Sequence, residues 1–183
     1  MTRSRGFSHL SPAGQPRMVD VSGKRVTRRT ATAEAWVLLG KKIAGRLARS
    51  GEVGKGNVLE TARIAGILAA KNTALLVPMC HPLSLEAIEM TAQLSEDRVR
   101  LVSCVKARDK TGVEMEALTA VAVAALTVYD MVKAAGTGVE ISGIRLLEKR
   151  GGKSGTWKRP EEPHGQSRVI VHRPGKRTAE DAG

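Results

Sequence analysis

Asp130 and Lys133 stand three residues apart, and Glu114 and Glu116 stand at the other end of the same apolar run. On a helix a three-residue spacing puts a carboxylate and an ammonium on one face, where the pair can hold or pass a proton. Carboxylates at a helix start and a lysine at its end also suit the macrodipole, so end-capping is the competing reading. Fourteen residues separate Glu116 from Asp130, about 21 Å at the helical rise. One small substrate does not reach both ends. Either there are two sites, or two copies of the helix run antiparallel about a two-fold axis and each site takes one end from each copy; the second arrangement is preferred.

Further cations fit the same chemistry. Arg29 closes the basic group Lys24, Arg25, Arg28 and Arg29, which reads as a solvated loop or as an anion-binding arm, arginine being suited to bidentate phosphate contact. Lys55 lies between Gly54 and Gly56 just before a helix start, where a plain loop lysine and an anion contact are both open. His81 is held between Pro78 and Pro82, which stiffen its segment. Lys149, Arg150 and Lys153 belong to a glycine-rich stretch; Gly152, Lys153 and Ser154 imitate the end of a P-loop, but Leu147 stands where its first glycine belongs and no helix pattern follows. Arg29, Lys55, His81, Lys133, Lys149 and Lys153 can together converge on a polyanion, with Glu114, Glu116 and Asp130 near them. The sequence offers no metal cluster, no Ser-His-Asp arrangement and no nucleotide fingerprint, and no cofactor or metal is expected.

The element that positions the acidic groups spans residues 110–133. Residues 117–128 hold no charge and two threonines, which is too apolar for a surface helix and too short for a membrane span, so a buried helix is expected. Thr111 and Glu114 have capping-box spacing at its start. Before it, residues 85–108 read as a β-hairpin: Ile88, Met90, Ala92 and Leu94 alternate with polar neighbours, and after a turn at Ser95, Glu96 and Asp97 so do Val99, Leu101 and Val105. A first strand ends near Leu39, a short helix covers residues 40–50, and a second helix follows Gly56, burying Val58, Leu59, Ala62, Ala65, Ile67, Leu68 and Ala69. A last strand is expected over residues 139–147. Strand, two helices, two strands, helix, strand is an α+β order of split β-α-β character, with an antiparallel sheet covered by helices on one face.

The chain has 183 residues, enough for one full core, and hydrophobic residues make up 42% against 2% aromatics, so that core is aliphatic. The formal charge of +12 sits mostly in the arms: residues 1–29 carry +6, residues 158–183 carry +2 and the body +4. Basic arms on a modestly charged body suit an enzyme of phosphorylated substrates as well as a nucleic-acid binder. Three parts are expected: a flexible basic arm over residues 1–17, a domain over 18–157 and a disordered tail over 158–183. Cys80 and Cys104 lack metal-ligand spacing and suggest no disulfide scaffold. The first seventeen residues contain no apolar run, so no signal peptide is expected, no later stretch is taken to reach membrane length, and the location is expected to be cytoplasmic.

The stretches RMVDVSGK, KGNVLETARIAGI, VPMCHPL, KTGVEMEALTAV, LTVYDMVKA and RLLEKRGGKSG, in this order over about residues 16–158, resemble the cyclic pyranopterin monophosphate synthase family of molybdenum cofactor biosynthesis, its protein C. Six ordered matches are far more specific than any one. The resemblance implies a ferredoxin-like α+β fold and a phosphorus-oxygen lyase that converts 3',8-cyclo-7,8-dihydro-GTP to cyclic pyranopterin monophosphate with release of pyrophosphate. It also implies a homohexamer, a trimer of dimers with sites at the dimer interface. Carried over by position, the catalytic groups are Lys55, Lys133 and Asp130, and the substrate contacts are Met79, Cys80, His81, Met115 and Glu116. Arg29, Glu114, Lys149 and Lys153 match further functional or pocket positions.

Two other classes compete. A basic RNA-binding module is suggested by the arms and by the GxxG of Gly51, Glu52, Val53 and Gly54, but the scarcity of aromatics removes base stacking, so neither nucleic acid nor membrane is an expected partner. A non-catalytic partner protein is the third, and it would tolerate loss of the pocket lysines.

Overall fold

The computed structural model of the chain describes residues 14–50, 52–53 and 56–160, without side chains at 52–53. Lys55, most of the basic arm and the tail from residue 161 lie outside the described residues. The elements run β1 (Thr27–Leu38), α1 (Gly40–Ser50), β2 (Glu52–Val53), β3 (Gly56–Asn57), α2 (Val58–Lys71), α3 (Thr73–Leu76), β4 (Leu85–Leu94), β5 (Arg98–Asp109), α4 (Glu114–Val132), a 3-10 turn (Lys133–Ala135), β6 (Glu140–Arg150) and β7 (Trp157–Lys158).

The main sheet has the order β4-β5-β1-β6-β7 with every pair antiparallel. Its four long strands enclose two helical crossovers, α2 and α4, in the α+β arrangement of a ferredoxin-like fold. Alternation along β1 explains the layering: Ala31, Ala33, Ala35 and Val37 are wholly buried on the helix side. Small side chains there let α4 settle close to the sheet, and its own buried positions Ala117, Ala120, Val121, Ala124, Ala125 and Val128 complete an aliphatic core without aromatic rings. Ser103 of β5 ties the layers together, its buried hydroxyl donating to the Ala117 carbonyl at 2.7 Å. Gly66 does the same for α2 and α4: a Cβ at this position would stand 3.0 Å from the Ala120 carbonyl oxygen.

The opposite sheet face is polar, and at its centre Glu34 is only 2% exposed. Arg100 from β5 binds one of its carboxylate oxygens at 2.9 and 2.7 Å, and Arg145 from β6 binds the other at 2.9 Å. Burial pushes the Glu34 carboxyl up, but the two guanidiniums outweigh it and hold the group below its ordinary value.

Several local expectations differ from the structure. Helix α4 starts at Glu114 with Val113 as its N-cap and no capping side chain, so Thr111 forms no capping box. The Glu114 carboxylate is drawn to Lys149 instead. Leu68 is exposed, together with Ile64 one turn earlier, because the 3.6-residue period turns both away from the sheet. Lys149 and Arg150 are the end of β6 rather than loop residues, and Trp157 and Lys158 add the short strand β7 beyond the turn. Contrary to expectation, the continuous helical stretch Glu114–Ala135 has the length and mean hydropathy, 1.5, of a membrane span. Here 56% of that window is buried within the protein, the position of a core helix.

Candidate functional site

At the C-terminal end of α4 the helical spacing places Asp130 and Lys133 on one face, and Lys133 Nζ lies 2.7 Å from Asp130 Oδ1. Both side chains are more than half exposed, at 55% and 57%. The Asp130 hydrogen bond and charge raise the Lys133 ammonium above its ordinary pKa. The pair therefore holds Lys133 in its charged ammonium form.

The N-terminal end of α4 gathers groups from four segments. Lys149, brought by β6 to the helix side of the sheet, places Nζ 3.1 Å from Glu114 Oε1. Glu116, in the first turn of the helix, is 3% exposed, and its Oε2 is buried without a hydrogen-bond partner among the described residues. Burial, followed by the charges of Glu114 and Asp109 against the helix's own backbone hydrogen bond, pushes its carboxyl up to about 6. Cys80 is close enough to feel that charge: burial and then Glu116 push its thiol up. Met115 faces outward and is partly exposed.

The segment carrying Cys80 is held by its backbone. Helix α3 ends where Val77 N–H donates to the Thr73 carbonyl, and Cys80 N–H donates to Val77 at 3.0 Å, a β-turn with Pro78 at its second position. Met79, Cys80 and His81 leave this turn half-buried.

Arg29 comes from the start of β1. Its Nε donates to the Asp109 carbonyl at 3.3 Å and its Nη2 to the Lys110 carbonyl at 3.2 Å, just before α4 begins. The turn after β6, closed by Gly155 N–H to the Gly152 carbonyl at 3.2 Å, passes directly over this guanidinium. Lys153 is exposed at its crest.

Among the described residues the candidate groups therefore form two sets. Arg29, Cys80, Glu114, Glu116, Lys149 and the turn of Gly152 and Lys153 surround the start of α4; Asp130 and Lys133 lie at its far end. Within a single chain these two sets do not meet on one polyanion, because about 21 Å of α4 separates them. What sequence reading missed is the anchoring of Arg29 by two carbonyls and two glycines, and the Arg100–Glu34–Arg145 triad. Both depend on strand register, and the only available hint was Gly151 and Gly152 following a strand.

The comparisons with known proteins bear on these segments. A profile of the MoaC family matches residues 18–152. The protein named cyclic pyranopterin monophosphate synthase from Streptomyces avermitilis is 53% identical over 153 residues, covering 84% of this chain and 89% of the relative. Its namesakes from Nocardioides sp. and Thermomicrobium roseum are 51% and 50% identical, covering 85% of this chain and 97% and 95% of their own lengths. With the profile running from before β1 to the turn over Arg29, and so across both ends of α4, this chain belongs to the MoaC family.

Proposed function

We propose that the protein is a cyclic pyranopterin monophosphate synthase, acting on 3',8-cyclo-7,8-dihydro-GTP as a phosphorus-oxygen lyase in molybdenum cofactor biosynthesis. The observation that carries this reading is the cationic and acidic set at the start of α4, within a chain half identical to proteins of that name. Cyclic phosphate formation requires a hydroxyl oxygen of the substrate to attack the phosphorus nearest the sugar. A new P–O bond forms while the bond to the departing pyrophosphate breaks. Negative charge builds on the leaving oxygens, and fixed cations stabilise it. Arg29, Lys149 and Lys153 take that role, with Glu114 orienting Lys149.

Rearrangement of the guanine-derived ring needs proton transfers, assigned to Lys55 and Lys133, with Asp130 orienting Lys133. Met79, Cys80, His81, Met115 and Glu116 contact the substrate. Since the two ends of α4 lie about 21 Å apart, one complete site takes its halves from two copies related by a two-fold axis. The exposed apolar side chains Ile64, Leu68, Leu75, Leu76 and Leu126 offer surface for such assembly, read as a homohexamer of three dimers in the cytoplasm.

The test is to incubate the purified protein with the cyclised GTP intermediate and assay cyclic pyranopterin monophosphate and pyrophosphate together. Equal amounts of both, lost in Lys55→Ala, are expected. Neither product from a folded, oligomeric protein would leave a binding or scaffolding role.

A further inference from the structure

Arg29 differs from its charged neighbours in what holds it. Lys133, Lys149, Arg63, Arg98, Arg100, Lys106, Arg145 and Arg150 each face a carboxylate. Arg29 is half-buried, and among the described residues its partners are two neutral carbonyls, of Asp109 and Lys110. Those bonds use Nε–H and one hydrogen of Nη2, so three of its five N–H groups have no protein acceptor among the described residues, and no described carboxylate pairs with the positive charge. A half-buried, oriented and unneutralised guanidinium is an anion receptor.

Its third side is closed by glycine. After β6, the chain turns back across β1 at Gly151 and Gly152, both in the left-handed region with φ of 97° and 72°. A Cβ at position 151 would lie 2.1 Å from the Arg28 carbonyl oxygen. One at position 152 would lie 1.6 Å from Arg29 Nη1 and 2.5 Å from Cζ. The guanidinium thus fills the space that any side chain at 152 would need.

We infer that Gly152 is a positioning residue for this enzyme: by lacking a side chain it lets the turn seat the Arg29 guanidinium where its charge and remaining N–H groups meet the phosphate groups of the substrate. This rests on the proposed reading of Arg29 as a phosphate contact. Gly155 supplies an internal control. It lies in the same turn with φ of 65°, and a Cβ there meets nothing within 4 Å. Alanine at 155 therefore carries backbone strain alone, whereas alanine at 152 carries that strain and displaces the guanidinium.

The experiment is steady-state kinetics of the full chain on the cyclised GTP intermediate, with Arg29→Ala, Gly152→Ala, the double variant and Gly155→Ala. Losing the bidentate contact in Arg29→Ala raises KM by about tenfold or more. Gly152→Ala raises KM about as much, with kcat within about twofold, and Gly155→Ala stays within about twofold of the parent. Added to Arg29→Ala, the glycine substitution costs less than about twofold more, since the group it displaces is gone. Melting temperatures read the same coupling without activity: Gly152→Ala melts below Gly155→Ala, and added to Arg29→Ala it lowers the melting temperature no more than Gly155→Ala lowers that of the parent. If Gly152→Ala behaves like Gly155→Ala, or its cost persists undiminished without Arg29, the positioning role is wrong while the phosphate role of Arg29 stands. A parental KM in Arg29→Ala removes both.

Discussion

Glu116 is a buried acid that no base answers among the described residues. Its carboxyl is raised to about 6, so the folded chain holds this proton more tightly than the unfolded chain does. Stability from this group is full below its unfolded value of about 4.5 and is lost as pH rises through 6. Glu116→Gln, which removes the titration, is expected to melt like the parent at pH 4 and to exceed it at pH 8, by up to about 2 kcal/mol; equal gaps at both values would place the charge elsewhere. Asp130 acts in the opposite sense on its neighbour, keeping Lys133 protonated to higher pH. Asp130→Asn should therefore move the alkaline limb of the kcat/KM profile to lower pH and cost about tenfold in rate. An unmoved limb would mean that Lys133 is not the titrating group. At this scale the sequence was informative where spacing alone decides: Asp130 and Lys133 meet because a helix brings i and i+3 together. It was silent on Lys149 and Glu114, whose meeting depends on where β6 ends.

The elements were legible in proportion to their periodicity. The alternation of β4 and β5 reveals the hairpin, and the unbroken apolar run reveals α4. The start of α4 was misplaced because Glu114 had a stronger partner, Lys149, than the Thr111 backbone. The extension of β6 to Arg150 and the addition of β7 came from pairing, which local pattern does not carry. The close approach of α2 to α4 rests on Gly66, and Gly66→Val is expected to cost about 2 kcal/mol in chemical denaturation by forcing the helices apart. Ser103→Ala, which loses only the bond to the Ala117 carbonyl, should cost about 1 kcal/mol. If Gly66→Val proves harmless, the two helices are less tightly seated than their geometry implies.

For the whole molecule, family and fold could be read from six ordered stretches, whereas the proposed division of the site between the ends of one helix follows from length alone. That division makes a prediction no single chain can satisfy. Glu116→Gln and Lys133→Ala are each expected to abolish turnover. Co-expressed or refolded together, they should recover about a quarter of parental activity, because half the pairs are mixed and one of the two sites in each mixed pair is intact. No recovery, in a mixture shown to exchange subunits, would place the complete site within one chain.

The clasp of Arg100 and Arg145 on Glu34 has a further consequence, for how the chain finds its fold. The segment around it, Ala31 to Ala35, consists of small side chains whose shapes barely distinguish one alignment from the next. A slip of β1 by one residue would turn the carboxylate from the arginine side into the aliphatic interior, where nothing neutralises it. Misaligned intermediates are thus penalised by charge before side-chain packing can favour them, and the central strand carries its own error check during folding.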